Sequence, residues 1–296
     1  MLRFETWDVF TETPFSGNPL AIVHDAGGLS TAHMQILARE FNLSETIFVM
    51  PPRDPAHTAR VRIFFPTAEI PFAGHPTIGC AICLSGLVEP GPDAEKHLVL
   101  EEEAGLVPVH VTRKGNRVRA EFTAPVTPFA APGEADPALA AAALGVAQIG
   151  TEGHIAPAIW QGGPRFLYVP LPDLPTLAKA RPMEPQWSQL MDAAGVDSAW
   201  CYVKTDTGYR SRMFSPTAGI PEDPATGSAS AIFAAELHAR GLVGEGETPV
   251  ALEQGVEMGR PSAIGLTVVV EGGALKAVRV AGSAVAISAG SVSIPA

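Results

Sequence analysis

The chain has 296 residues, of which 46% are hydrophobic and 17% charged, and its formal net charge is −11. This composition is typical of a soluble globular protein, with room for one large or two ordinary domains. The acidic balance argues against nucleic acid as a partner, because proteins that bind nucleic acid usually present a basic face.

The cysteines and the hydrophobic runs indicate the compartment. Three cysteines are too few for a disulfide framework and are typical of a reducing environment. Cys80 and Cys83 have C-x-x-C spacing, but they lie in an apolar run without a second ligand pair, so we interpret them as buried and expect no metal. The N-terminal residues lack a signal-peptide pattern and no run reaches transmembrane length. We therefore expect a cytoplasmic protein with no membrane partner.

The first half of the chain is predicted to consist of short strands around one apolar helix. Strand patterns cover residues 3–10, 20–23, 46–50, 61–65, 97–102, 106–112 and 117–122. Ser30 suits the cap of a helix over about 31–41. A second helix is predicted over 76–88, with Pro76 at its first position and Gly86 at its end. Because this helix is apolar nearly all round, it must be enclosed.

The second half repeats this order of elements. Strand patterns cover residues 154–160, 165–169, 199–205, 209–214, 249–253, 264–270, 274–280 and 284–288. Helices are predicted over 138–144, about 184–194 and 227–240, the last again uncharged in its first two turns. The sequence therefore predicts an α+β fold of two halves, each a set of curled strands around one buried helix.

A duplicated stretch supports the division into halves. Residues 60–71 recur at 210–221 with eight identical positions and no gap. The offset of 150 residues has the size of a domain, which indicates a duplication and not a solenoid. The predicted organisation is an N-terminal half over 1–124, a Pro- and Ala-rich linker over 125–137, a C-terminal half over 138–281, and a final strand over 282–296 that can join the first half. We expect the ligand site in the cleft between the halves.

Each copy of the stretch leads into a turn of small residues at the start of the apolar helix. The first N–H groups of a helix have no intrahelical partner and lie at its positive end, so they favour a carboxylate, a phosphate or an enolate oxygen. An ordinary capped helix start would explain one such turn, whereas two of them favour a ligand role. The candidate binding residues here are Gly74 in the first half and Thr226, Gly227 and Ser228 in the second.

The two copies differ where titratable residues occur. His75 corresponds to Ala225, and Asp223 corresponds to Ala73. A titratable group opposite alanine in each half predicts distinct tasks in an asymmetric site. The structural alternatives are a helix-capping imidazole for His75 and an Asx turn for Asp223.

Glu45 is the third candidate, because it precedes an otherwise apolar strand. A carboxylate in that position is expected to be partly desolvated, which raises its pKa towards neutrality. Such a group suits a reaction in which one residue removes a proton and returns it. The alternative is an exposed glutamate at the end of a strand.

Several motifs resemble the phenazine-biosynthesis PhzF-like family, and together they span nearly the whole chain. They cover residues 8–11, 15–21, 42–46, 71–77, 222–229, 254–255 and 258–262. The resemblance implies a diaminopimelate-epimerase-like fold with two pseudo-symmetric halves and an active site between them. It also implies a cofactor-free isomerase that is usually a homodimer.

The resemblance carries roles to individual residues. The best-understood member moves a proton within a dihydro-hydroxyanthranilate ring system with a glutamate as acid and base, and that glutamate falls on Glu45. The family's substrate-contacting His, Asp and Ser fall on His75, Asp223 and Ser228. Epimerases of this fold use a cysteine at each helix N-terminus, and neither helix start here has one.

The sequence therefore predicts a cofactor-independent isomerase. Glu45 would move a proton within a small unsaturated substrate that carries a carboxylate. Two alternatives stay open at this stage. One is a small-molecule-binding protein that has lost catalysis, and the other is a racemase or epimerase that uses groups other than thiols.

Overall fold

The computed structural model describes residues 1–150 and 156–296. The described chain divides into two compact units, one formed by Met1–Pro125 with Arg279–Ala296 and the other by Val126–Val278. The strand predicted over 154–160 begins outside the described residues, and its described part is a strand from Ala158 to Gln161.

The elements are numbered along the chain. The strands are β1 (Leu2–Val9), β2 (Asn18–Val23), β3 (Glu45–Met50), β4 (Ala59–Phe64), β5 (Glu69–Ile70), β6 (Ala94–Glu102), β7 (Gly105–Lys114), β8 (Arg117–Thr123), β9 (Phe129–Ala130), β10 (Ala158–Gln161), β11 (Arg165–Pro170), β12 (Ala199–Thr205), β13 (Gly208–Ser215), β14 (Ile220–Asp223), β15 (Gly246–Gln254), β16 (Ser262–Glu271) and β17 (Ala274–Val292). The α-helices are α1 (Thr31–Phe41), α2 (Gly74–Ser85), α3 (Pro137–Ala143), α4 (Leu174–Lys179), α5 (Gln186–Ala194) and α6 (Gly227–Ala239).

Eight strands of the first unit form a closed barrel. Antiparallel pairs join β1 to β2, β3 to β4, β6 to β7, β7 to β8, β8 to β17 and β17 to β1. Parallel pairs join β2 to β3 and β4 to β6, which completes the ring and leaves no free edge in it. Helix α2 packs against six of these strands, and residues 74–82 are all buried. The prediction of an enclosed apolar helix is confirmed.

Helix α2 begins two residues earlier than the sequence predicted. Its first residue is Gly74, so Pro76 takes the third position and not the first. Proline is accepted there because the N–H groups of the first turn have no intrahelical partner to lose. Gly86, with φ of 64°, ends the helix as predicted. A Cβ on Gly79 would lie 2.7 Å from side-chain atoms of Leu20 and Val9, so this glycine lets α2 approach β1 and β2 closely.

The second unit repeats the strand pairing of the first. Its parallel pairs join β11 to β12 and β13 to β15, as β2–β3 and β4–β6 do in the barrel. Antiparallel pairs add β9, β10, β14 and β16. Helix α6 packs against β9, β10 and β16, and most of its residues are buried. The predicted α+β class is confirmed, with the duplication visible in both pairing order and central helix.

The duplicated arginines make the same kinds of contact in both units. Arg62 binds Glu69 at 2.5 Å, and Arg212 binds Glu222 at 2.8 Å. Each guanidinium also lies over the ring of the phenylalanine two residues further on, at 5.2 and 4.8 Å from the ring centroid. The repeated residues therefore serve the scaffold of each unit.

Some elements differ from the sequence-based prediction. Helix α4 was not predicted, and the two strands predicted over 274–280 and 284–288 are the single strand β17. The stretch 125–137 contains β9, which pairs with β10. None of the helices in the described parts of the chain is long and apolar enough to cross a membrane.

Candidate functional site

Glu45 and His75 meet at one end of the barrel. Glu45 is the first residue of β3 and is 7% exposed, and His75 lies in the first turn of α2 and is 2% exposed. Glu45 Oε2 lies 3.4 Å from His75 Nδ1, and Asn18 Nδ2 lies 3.3 Å from the same nitrogen. The parallel register that places Leu20 beside Glu45 brings the start of β2, and with it Asn18, to this end. Two predicted site residues thus lie in direct reach of each other.

Burial keeps the His75 imidazole neutral. It lowers the pKa of His75 to about 3, while the Pro19 carbonyl acts in the opposite direction. A neutral imidazole has one N–H donor and one acceptor nitrogen. Nδ1 faces Asn18 and the Glu45 carboxylate, whereas Nε2 has no hydrogen-bond partner among the described residues. Nε2 is therefore the ring nitrogen that a substrate can bind by a hydrogen bond.

The start of α2 is not capped by a side chain. Ala73 occupies the N-cap, and its methyl group cannot accept a hydrogen bond from the first N–H groups. Gly74, the next residue, lacks a Cβ and is buried beside His75. The positive end of the helix and the neutral imidazole are thus available to the same negative group.

In the second unit, a buried glutamine organises the turn that precedes α6. The Thr226 hydroxyl donates to Asp223 Oδ2 at 2.6 Å. Gln254 Nε2 donates to the Asp223 carbonyl at 2.8 Å and to the Thr226 hydroxyl at 2.9 Å. Gln254 Oε1 in turn accepts from the Thr226 N–H and from Trp200 Nε1, both at 3.3 Å. Each group of this network has a matching donor or acceptor, so the turn is held in one conformation.

The predicted binding residues of this turn have different surroundings. Thr226 uses its hydroxyl on Asp223 and does not cap α6 with it. Gly227 is buried at the first position of the helix, and Ser228 is half-buried at the second. The first N–H groups of α6 are therefore not bound by the Thr226 side chain, as those of α2 are not bound by Ala73.

Two residues of these networks were not predicted as site residues. Asn18 contacts His75 across 57 positions of sequence, and Gln254 contacts Thr226 across 28. Both lie in stretches that resemble family motifs, Asn18 in 15–21 and Gln254 in 254–255. The sequence signal that could have identified both residues is a side-chain amide directly beside a glycine or proline of a turn.

One group of side chains in the barrel has the composition of a metal site. The ligand atoms of Glu5, His24 and Cys83 lie within 4.8 Å of one another. Arg3 binds Glu5 at 3.0 Å and approaches His24 Nε2 at 3.3 Å. Its guanidinium therefore supplies a positive charge where a metal ion would bind. Burial raises the pKa of Cys83 to about 12, which keeps the thiol protonated and disfavours it as a metal ligand.

A second group with metal-ligand composition lies on the outer surface of β6 and β7. It consists of Glu95, His97 and His110, whose ligand atoms are also within 4.8 Å of one another. The two imidazole rings are stacked at 4.4 Å between centroids, and Glu95 lies 3.3 Å from His110. Neither group includes a predicted site residue.

The chain matches the PhzC-PhzF family, described as phenazine biosynthesis-like protein, over residues 7–290. It belongs to this family. An uncharacterised isomerase of Mesorhizobium japonicum is 41% identical over 97% of both chains. A trans-2,3-dihydro-3-hydroxyanthranilate isomerase of Pseudomonas fluorescens is 38% identical over 86% of both chains. The structure of a predicted epimerase from Pseudomonas aeruginosa superposes with a TM-score of 0.82 at 32% identity, covering 99% of each chain.

These similarities establish the class of protein. These two relatives are named isomerases and match 97% and 86% of the chain, so the present PhzF-like protein is an enzyme of the isomerase class. The structural relative has the epimerase-like fold of the family. The recognition of the family from its motifs and the prediction of an isomerase are confirmed.

Proposed function

We propose that the PhzF-like isomerase moves a proton within a small unsaturated substrate that carries a carboxylate, with Glu45 as general acid and base and without a cofactor. The observation that carries the proposal is the buried Glu45 carboxyl at 3.4 Å from the neutral His75, beside the uncapped start of α2. The dihydro-hydroxyanthranilate named for the relatives is the substrate class that we expect.

The first step is removal of a proton by Glu45. Its carboxylate takes the proton from a carbon α or γ to the unsaturated group. Negative charge then develops on the substrate oxygen that is conjugated with this carbon. The N–H groups at the start of α2 donate to that oxygen, which stabilises the transition state electrostatically, and His75 Nε2 hydrogen-bonds to the substrate beside it. The protonated Glu45 then returns the proton to another carbon on the same face of the substrate. The reaction consumes no proton overall and needs no further acid.

The residues of the second unit are proposed to bind the substrate. The Asp223 carboxylate would orient a hydroxyl or amine, and the helix start at Gly227 and Ser228 would hold an anionic group. Thr226 mainly orients Asp223 in this proposal, because its hydroxyl donates to that carboxylate at 2.6 Å. The Gln254 network then keeps Asp223 in place.

The thiols of this protein do not suit the two-cysteine mechanism of related epimerases. Burial raises the pKa of Cys201 to about 12 and that of Cys80 well above its usual value. Protonated, buried thiols are poor bases. A non-thiol epimerase differs from our proposal in its product, because it would invert one carbon and leave the double bonds in place.

The variant Glu45→Gln tests the proposal with trans-2,3-dihydro-3-hydroxyanthranilate as substrate. The amide keeps the size of the side chain and cannot accept a proton, so we expect kcat to fall by at least about 100-fold. The KM and the thermal midpoint should change little. Glu95→Gln, an exposed glutamate on the same barrel, is the matched control and should retain wild-type kcat. Wild-type kcat in Glu45→Gln would overturn the assignment.

A further inference from the structure

Glu102 is a buried carboxyl next to the start of α2. It is the last residue of β6, is 8% exposed, and its Oε1 lies 2.7 Å from the hydroxyl of Thr77 in the first turn of the helix. Its Oε2 has no hydrogen-bond partner among the described residues. A buried carboxylate anion without compensating partners is strongly disfavoured.

A count of protons shows that Thr77 cannot donate to both of its neighbours. The Thr77 hydroxyl lies 2.7 Å from Glu102 Oε1 and also 2.7 Å from the Ala73 carbonyl oxygen. A hydroxyl has a single proton, and a carbonyl can only accept. If Thr77 donates to Ala73, the equally short contact with Glu102 needs a proton on the carboxyl. The three groups then form a directed chain in which Glu102 donates to Thr77 and Thr77 donates to Ala73.

The electrostatic surroundings agree with this arrangement. Burial raises the pKa of Glu102 to about 8, and the Thr77 hydroxyl, where it donates to the charged form, acts in the opposite direction. The titratable groups near Glu102 include His75 and Cys80 of α2, Glu101 of β6, Glu103 of the following turn, Arg60 of β4 and His57 of the loop before it. Arg60 pairs with Glu103 at 3.1 Å and His57 with Glu101 at 2.8 Å. These cations are therefore bound to the neighbouring glutamates.

We propose that Glu102 is a positioning residue of the active site, which donates a hydrogen bond to Thr77 as a neutral acid and so fixes the first turn of α2. That turn carries Gly74 and His75, and the inference rests on the function proposed above. A second hydrogen bond connects the segment before α2 to the residues that follow Glu102, because the Ala104 N–H donates to the Pro71 carbonyl at 3.0 Å. Glu102 acts through the helix start and does not itself touch the substrate.

The neutral state of Glu102 has a consequence for anion binding. Ionised Glu102 would accept the Thr77 proton, which would take the hydroxyl away from the Ala73 carbonyl, and would add a negative charge beside the helix end that receives the substrate. The ionised enzyme should therefore bind the carboxylate substrate more weakly. For wild type, KM should rise above about pH 8 and level off about tenfold higher once Glu102 is ionised, while kcat changes less.

The variant Glu102→Gln separates this role from general structural support. An amide N–H donates to Thr77 as the acid does but cannot ionise, so KM at pH 7 should stay within about threefold of wild type and should not share the alkaline rise. Glu102→Leu, which cannot donate, should raise KM at pH 7 by about tenfold. Thr77→Ser should keep wild-type kinetics and Thr77→Val should resemble Glu102→Leu, which provides a second test of the chain of hydrogen bonds.

A titration without substrate tests the protonation directly. In protein labelled with ¹³C at the glutamate carboxyl carbons, the signal that is missing in Glu102→Gln should titrate with a midpoint above pH 7. A midpoint below pH 7, or an unchanged alkaline rise of KM in Glu102→Gln, would overturn the inference. An active Glu45→Gln would overturn the proposed function instead, and the titration of Glu102 is independent of that result.

Discussion

The most specific structural prediction concerns Arg212. This buried residue binds Glu222 through two nitrogens at 2.8 Å. Its remaining nitrogen donates to the carbonyl groups of Leu177, Ala178 and Ala180 at 2.8–3.1 Å. These carbonyls lie at the end of α4, where most helix carbonyls lack an intrahelical partner, although that of Leu177 also accepts from the Ala180 N–H at 3.2 Å. A single side chain thus joins β13, the end of α4 and a carboxylate.

Replacing Arg212 by Met keeps the apolar stem and removes every donor. The change leaves Glu222 and three carbonyls without this partner, and removal of one member of a buried ion pair costs about 3–5 kcal/mol. Arg62 is the matched control, because it holds Glu69 in the same bidentate way but bonds to the Thr31 hydroxyl instead of a helix end. With Glu69 27% exposed, Arg62→Met should cost about 1 kcal/mol.

Urea unfolding followed by tryptophan fluorescence measures this difference. Trp187 packs edge-on against Phe214, two residues from Arg212, so its emission reports on the region that changes. We expect the free energy of unfolding to fall by about 3 kcal/mol or more in Arg212→Met and by less than about 2 kcal/mol in Arg62→Met. Equal losses in the two variants would show that the contacts at the end of α4 contribute nothing.

Two further predictions concern stability and substrate binding. Burial raises the pKa of Glu102 from 4.5 to about 8, so the folded protein binds a proton that the unfolded chain releases. The stabilisation from this proton is complete below pH 4.5 and is lost as the pH rises to 8, by roughly 5 kcal/mol in total. Urea midpoints between pH 5 and 9 should therefore fall in wild type and fall less in Glu102→Gln. Gln254→Leu removes the donors to the Asp223 carbonyl and to Thr226, so the free energy of unfolding should drop by about 1–3 kcal/mol. The Kd for substrate, measured by calorimetry, should rise. An unchanged Kd would show that the Gln254 network does not support the binding residues.

The two-unit fold with its buried helices could be predicted, because the sequence patterns that indicate it are local or occur twice. The all-round apolar pattern after residue 76 required an enclosed helix, and the duplicated stretch revealed two related units. The exact start of α2 could not be predicted, because proline suits several positions of a first turn. Helix α4 is only six residues long and contains Pro175, so its periodicity gives little signal.

The contacts of the site depend on tertiary structure to a greater extent. Asn18 reaches His75 only because β2 and β3 pair in parallel with a particular register. The run of three glutamates at 101–103 shows the limit most clearly. Hydrogen bonds from the backbone N–H groups of Asp54 and Arg53 lower the pKa of Glu101 to about 2, whereas burial raises that of Glu102 to about 8. Nothing in three identical neighbours distinguishes them until β6 directs Glu101 and Glu102 to opposite sides and ends before Glu103.

The proposed role of Glu45 is tested most directly by hydrogen exchange with solvent. Wild-type enzyme and Glu45→Gln would each be incubated with trans-2,3-dihydro-3-hydroxyanthranilate in D2O and followed by NMR. We predict that wild type introduces deuterium at the carbon that receives the proton, through exchange of the Glu45 proton with solvent before it is returned, and that Glu45→Gln introduces none while it still binds the substrate. Deuterium incorporation by Glu45→Gln at the wild-type rate would contradict the assignment of Glu45 as the acid and base.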